Sequence, residues 1–157
     1  MKHTISVIVE NKFGVLARIA GLFSARGYNI ASLAVSETHD PAISCMTIVV
    51  DAEDEKILEQ IKKQLNRLID VLTVTDFTKK EHVERELILA TVAYSAKTKA
   101  ALEGLLDKYK AIIVKRKKNS VIIEFMGEQG VIKELLRELS RFGIKELIRT
   151  GRIAMAV

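Results

Sequence analysis

The sequence predicts an α+β protein built from two tandem βαββαβ units. Short alternating or branched segments of strand character flank apolar stripes of helical spacing, in the order strand-helix-strand-strand-helix-strand. That order recurs after about 75 residues. The chain has 157 residues, 48% of them apolar and 29% charged, enough for one medium or two small packed domains.

Residues 4–10 alternate, so Ile5, Val7 and Val9 share one face of a strand. Asn11-Lys12-Phe13-Gly14 turns the chain into a helix, in which Val15, Leu16, Ile19, Ala20, Leu22 and Phe23 recur at helical spacing. Gly27 suits the stop of that helix, where positive φ is usual. Residues 29–37, rich in small and branched side chains, form the second strand. Thr38-His39-Asp40-Pro41 is a turn, which suits a proline without an amide donor. Residues 43–51 are the third strand, with Met46, Ile48 and Val50 on one side. Asp54 and Glu55 open the second helix, where acidic groups meet the positive helix end. Its stripe is Ile57, Leu58, Ile61, Leu65 and Leu68, and residues 71–77 close the first unit as a strand.

Residues 78–86 are a polar bridge that shares its end with the next strand, residues 87–95. A helix over residues 97–109 turns Ala101, Leu102, Leu105, Leu106 and Tyr109 inward. A hairpin follows, residues 112–115 and 120–126 around Lys117-Lys118-Asn119. The last helix, residues 130–142, ends at Gly143, and residues 144–157 are extended with a break near Gly151. Each half has the ferredoxin-like split βαβ order, which places domains at residues 1–78 and 79–157. The halves share little residue identity, so only the architecture repeats.

Halves of this size bury marginally little surface, and a four-stranded sheet with both helices on one side leaves its other face bare. Ser6, Ile8, Met46, Ile48 and Val50 include candidates for that face or its neighbours, and a two-fold homodimer is expected to cover it. No run of 18 apolar residues offers a membrane span. The N-terminus lacks a signal-peptide layout, and the single Cys45 excludes an internal disulfide, so a cytoplasmic protein is expected. The net charge of +5 is uneven: residues 1–80 hold ten Lys/Arg and ten Asp/Glu, residues 81–157 fifteen and ten.

Neither a catalytic nor a metal-binding constellation stands out. His3, His39 and His82 are far apart, and no Walker A, Gly-x-Ser-x-Gly or Gly-x-Gly-x-x-Gly motif is present. The run Lys115-Arg116-Lys117-Lys118 raises an alternative, a basic ferredoxin-like nucleic-acid-binding module. RNA-binding domains of this architecture stack bases on aromatic residues of central strands, and residues 4–10 and 43–51 carry none. A solvated hairpin tip or partner docking explains the run as well.

The strand-helix corner is the remaining candidate. Gly14 lets a ligand approach the amides of Val15 and Leu16, which the helix start leaves without carbonyl partners. Such an end attracts a carboxylate. Asn11 and Asn29 offer amide side chains with donors and an acceptor, and an aliphatic side chain would rest against Val15, Leu16 or Ile30. A small free amino acid fits these features; a turn that merely needs a small residue fits the glycine too.

The residues Ser6-Val7-Ile8-Val9-Glu10-Asn11, Gly14-Val15-Leu16-Ala17-Arg18, Gly21-Leu22-Phe23-Ser24 and Arg26-Gly27-Tyr28-Asn29-Ile30 resemble an ACT domain, a small-molecule sensor. With Asp70-Val71 and His82-Val83-Glu84-Arg85-Glu86-Leu87 they resemble more closely the regulatory small-subunit family of acetolactate synthase, over nearly the whole chain. The resemblance implies a subunit that is not an enzyme on its own. It implies a catalytic large subunit as partner, which carries thiamine diphosphate, Mg and FAD, while this chain carries no cofactor. It implies an ACT homodimer binding valine or a related branched-chain amino acid, activation of the partner, and feedback inhibition of branched-chain amino-acid synthesis. Asn11, Gly14, Val15, Leu16, Asn29 and Ile30 match the family's effector positions. No nucleic-acid or membrane partner is implied. The match is weaker over residues 95–119.

Overall fold

The computed structural model describes residues 2–157. Its elements run β1 (Lys2–Glu10), α1 (Val15–Ala25), β2 (Asn29–Glu37), β3 (Ile43–Asp51), α2 (Glu55–Asn66), β4 (Val71–Asp76), β5 (His82–Ala93), α3 (Lys99–Tyr109), β6 (Ile112–Arg116), β7 (Ser120–Gly127), α4 (Gln129–Ser140), β8 (Ile144–Arg149) and β9 (Ile153–Ala156). The α+β reading therefore holds, with two βαββαβ units in sequence. One compact unit comprises Met1–Val83 and Arg152–Val157, the other Glu84–Gly151. The last six residues thus return to the first unit.

The first sheet has the order β2-β3-β1-β4, all neighbours antiparallel. Register decides which side chains meet the helices. Ile5 pairs with Ile48, Val7 with Met46 and His3 with Val50, so these residues share a face. They join Val15, Ile19 and Phe23 of α1 and Leu58, Ile61 and Leu65 of α2 in one core. Each large apolar side chain fully buried there contributes about 1.5–3 kcal/mol relative to exposure. Met46, Ile48 and Val50 are consequently core residues and do not line the face away from the helices. That face holds Thr4, Ser6, Ile8, Cys45, Thr47 and Val49, of which Ile8 and Cys45 are only half-buried. Arg152 reaches it from the returning chain end: its backbone N–H donates to Ser32 Oγ at 3.2 Å and its guanidinium to Thr4 Oγ1 at 2.9 Å.

Local signals set the helix limits. Asp54 caps α2 by accepting from the Ile57 amide at 2.9 Å. Gly27, at φ 68°, ends α1 while the Tyr28 amide folds back to the Phe23 carbonyl at 3.0 Å.

The second sheet has the order β6-β7-β5-β8, with β9 also pairing β5. Ile88, Ala90 and Val92 of β5 meet Phe125, Ile123 and Val121 of β7 under α3 and α4. β5 starts at His82 and so absorbs most of the polar bridge. Glu86, buried in this strand, is satisfied by Arg149, whose Nε and Nη2 donate to its two oxygens at 2.9 and 2.6 Å. Among the described residues no helix is long and apolar enough to cross a membrane.

Candidate functional site

The corner between β1 and α1 is held open by backbone geometry. Gly14 caps α1 at φ 82°, ψ −4°, a left-handed conformation that an L side chain adopts only with strain. It offers no side chain to the helix start. The first regular helical bond runs from the Arg18 amide to the Gly14 carbonyl at 3.0 Å. The Val15 amide turns back to the Lys12 carbonyl at 3.3 Å, so it is already engaged. The helix geometry leaves the amides of Leu16 and Ala17 without carbonyls, one residue further along than Val15 and Leu16. Val15 itself is buried in the core, while Leu16 is 43% exposed beside the opening.

Asn11 is exposed on the same corner. Its amide donates to the Ala42 carbonyl at 2.7 Å, and its side-chain Nδ2 to the Pro41 carbonyl at 2.8 Å. That orientation leaves Oδ1 as an acceptor suited to an ammonium group.

Two cations flank the corner that the sequence reading did not single out. Arg18 ion-pairs with Asp70 of the α2–β4 turn, and its Nη1 lies 3.5 Å from where a Cβ on Gly14 would stand. Lys12 pairs with Glu10 at 2.7 Å, and that hydrogen bond and charge raise its pKa above the ordinary lysine value. The signal for Arg18 was its i+4 spacing from Gly14, which stacks it over the first helical turn.

Asn29 and Ile30 lie elsewhere. Glu10, next to Asn11, is opposite Ile43, whereas Asn29 is opposite Asp51. Eight residue steps of β3 separate those positions, about 26 Å at the usual strand rise. Asn29 is exposed and Ile30 is half-buried against the core. One copy of the chain therefore brings together Asn11, Gly14, Val15 and Leu16, and holds Asn29 and Ile30 at the far end of the sheet. The crossover explains this: β1 and β2 run parallel, so the end of one and the start of the other lie at opposite ends.

The corresponding turn of the second unit has Thr98 at the helix cap where the first has glycine, and Thr98 makes no side-chain bond to the helix amides. Ser95 and Thr98 interlock there, the Ser95 amide donating to Thr98 Oγ1 at 3.1 Å and the Lys99 amide to the Ser95 carbonyl at 2.9 Å. Among the described residues no group of three or more His, Cys, Asp or Glu side chains could hold a metal ion. Cys45 Sγ lies 3.6 Å from Ser6 Oγ on the strand face away from the helices.

Comparisons with known proteins give a consistent picture. Residues 5–73 match the family described as "AHAS small subunit-like ACT domain", and residues 85–157 the family described as "Small subunit of acetolactate synthase". The chain is 46% identical to the probable acetolactate synthase small subunit of Archaeoglobus fulgidus, covering 99% of this chain and 96% of that one. It is 42% identical to the acetolactate synthase small subunit of Bacillus subtilis, covering 99% and 91%. A crystal structure of the small subunit from Thermotoga maritima superposes with a TM-score of 0.89 at 33% identity, covering 100% of this chain and 98% of that chain.

Proposed function

We propose that this chain, which belongs to the acetolactate synthase small-subunit family, senses a branched-chain amino acid and transmits its level to a catalytic large subunit. The chain performs no chemistry of its own in this reading. Its partner carries the reaction together with thiamine diphosphate, Mg and FAD.

The observation that supports the sensing role best is the bare glycine corner. The open amides of Leu16 and Ala17 are placed for a ligand carboxylate, in the positive field of the helix start and beside Arg18. Asn11 Oδ1 is placed for the ammonium group, and Leu16 gives an aliphatic side chain an apolar surface. Valine has these three parts and no more.

A site that also uses Asn29 and Ile30 draws them from a second copy, because about 26 Å separates the two ends of one sheet. β2 is an edge strand, so two copies related by a two-fold axis can pair along it and bring the far end of one sheet to the corner of the other. Effector binding then favours one arrangement of the pair, and the catalytic partner another. A coupling of about 1–3 kcal/mol between the two sites is typical of such regulation.

Calorimetric titration of the pure chain with valine, leucine and isoleucine, repeated with the catalytic subunit present, tests the reading. Saturable binding of one of them, weakened or strengthened by the partner, is the expected result. Absence of binding by all three refutes the sensing role.

A further inference from the structure

We propose that the outer edge of β6 takes up an extended, acidic segment of the catalytic partner as an added strand. This inference rests on the regulatory reading above and names the docking surface within it.

Four observations on the second unit carry it. β6 is the outermost strand of its sheet, paired only with β7 among the described residues, so one row of its backbone groups is unpaired. Beside that edge lies a groove of about 410 Å³ between β6 and α3, lined by Leu106, Ala111, Ile112 and Ile113 with Glu103, Asp107 and Arg116. Ile112 and Val114 of the edge itself are 59% and 53% exposed. Finally, Lys115, Lys117 and Lys118 at the hairpin are exposed and make no ion pair among the described residues, while Arg116 is tied to Glu103 at 3.0 Å and to Tyr94 Oη at 2.8 Å.

Charge selects the occupant. The second unit carries fourteen Lys/Arg against nine Asp/Glu, whereas the first carries eleven of each. All of the chain's excess charge therefore sits on the unit with the open edge. A second copy of the unit brings the same sign and is disfavoured there. Lysines and the bulge between Ile113 and Lys115 are devices that keep an edge from pairing with its own kind. They leave it selective for a strand of opposite charge. Nucleic acid meets the lysines alone, whereas a peptide also sets apolar side chains on Leu106, Ala111, Ile112 and Ile113 and polar ones beside Glu103, Asp107 and Arg116. Among its described residues the unit has no free aromatic platform for bases: Phe125 is buried, Phe142 packs against the core under Arg141, Tyr109 is bonded to Glu138 and Tyr94 to Glu103. Main-chain bonds to the edge, alternate apolar side chains in the groove and carboxylates against the lysines together describe an acidic extended peptide.

The test uses the full chain and the intact catalytic subunit. Affinity is measured at low and moderate salt for the wild-type chain, for the triple substitution Lys115→Gln/Lys117→Gln/Lys118→Gln, and for Ile112→Asp. Hydrogen exchange of the β6 amides is followed with and without the partner. The expected result is an affinity loss on the order of tenfold at low salt in the triple variant, with a shallower salt dependence. Ile112→Asp weakens binding, the β6 amides become protected in the complex, and valine affinity of the free chain stays unchanged in both variants. Wild-type affinity and salt slope in the triple variant, or a complex that leaves β6 unprotected, overturns the surface while the regulatory reading stands. No binding by the wild-type chain overturns both. Tight binding of a single-stranded RNA or duplex DNA that the triple substitution abolishes overturns the acidic protein as occupant, and β6 protection that tracks self-association assigns the edge to a second copy instead.

Discussion

The two units share a topology but finish the same corner differently. In the first, the strand-helix turn ends in a left-handed glycine that puts no side chain over the helix start. In the second, Ser95 and Thr98 occupy the equivalent turn and bond to each other. Neither helix start is capped by a side chain, so the difference is steric: glycine leaves the approach to α1 bare, whereas the approach to α3 carries the Thr98 side chain. The charge distribution differs as well, with the excess cations gathered on the second unit. In the proposed reading, sensing falls to the first unit and docking to the second.

The comparison breaks most sharply at Gly14. Gly14→Asp places a carboxylate at the position proposed for the ligand carboxylate, in addition to left-handed strain of about 1–2 kcal/mol. Loss of valine binding by at least about a hundredfold is expected by calorimetry, with activation of the catalytic partner retained. Thr98→Asp, an aspartate at the equivalent cap of the second unit, should leave valine affinity untouched. Gly14→Ala separates the causes, since its Cβ meets only Arg18 Nη1 at 3.5 Å: it should lower stability by the strain alone.

A subunit-mixing experiment sharpens where the site lies. Asn11→Ala and Asn29→Ala should each weaken valine binding roughly tenfold or more, the loss of a hydrogen bond to a charged group. Mixed dimers of the two variants should regain one wild-type site per pair, because one chain supplies Asn11 and the other Asn29. No recovery on mixing would place both residues in a site formed by a single chain, against the 26 Å estimate, or remove one of them from the site.

Stability should also differ between the units. Glu86→Ala strips the partner from Arg149 in the second sheet, and a loss of about 1–3 kcal/mol is expected from denaturant unfolding. Asp70→Ala removes the more exposed pair with Arg18 in the first unit and should cost about 0.2–1 kcal/mol. An equal loss from both would show that burial of the pair is irrelevant.

The smallest effect is in acid. Burial raises the pKa of Asp76, but bonds from the Thr78 amide and hydroxyl and from Lys62 outweigh it, so the pKa lies below the ordinary 3.8. A carboxylate depressed in the folded state stabilises it above the unfolded pKa, and that stability is lost as pH falls below 3.8 toward the folded value. Asp76→Asn should therefore flatten the fall in stability in that range while lowering stability at neutral pH. Glu138 in the second unit, lowered by the Tyr109 hydroxyl and by Lys108, is half-buried but more accessible than Asp76 and should show a weaker dependence.

The sequence by itself determined the order of elements and the glycine corner. Strand alternation, helical stripes and turn residues are local, and each is read within a dozen residues. It also carried the family resemblance, since Arg26-Gly27-Tyr28-Asn29-Ile30 is a contiguous motif. Only the tertiary structure decided which strand face met the helices, where Met46, Ile48 and Val50 are core because of their register with Val7, Ile5 and His3. It alone paired Arg18 with Asp70 of the α2–β4 turn, and it alone separated Asn11 from Asn29 by the length of a strand. Pattern tells a side chain's face relative to its neighbours in sequence, but pairing between distant segments fixes which face is inside and which ends meet.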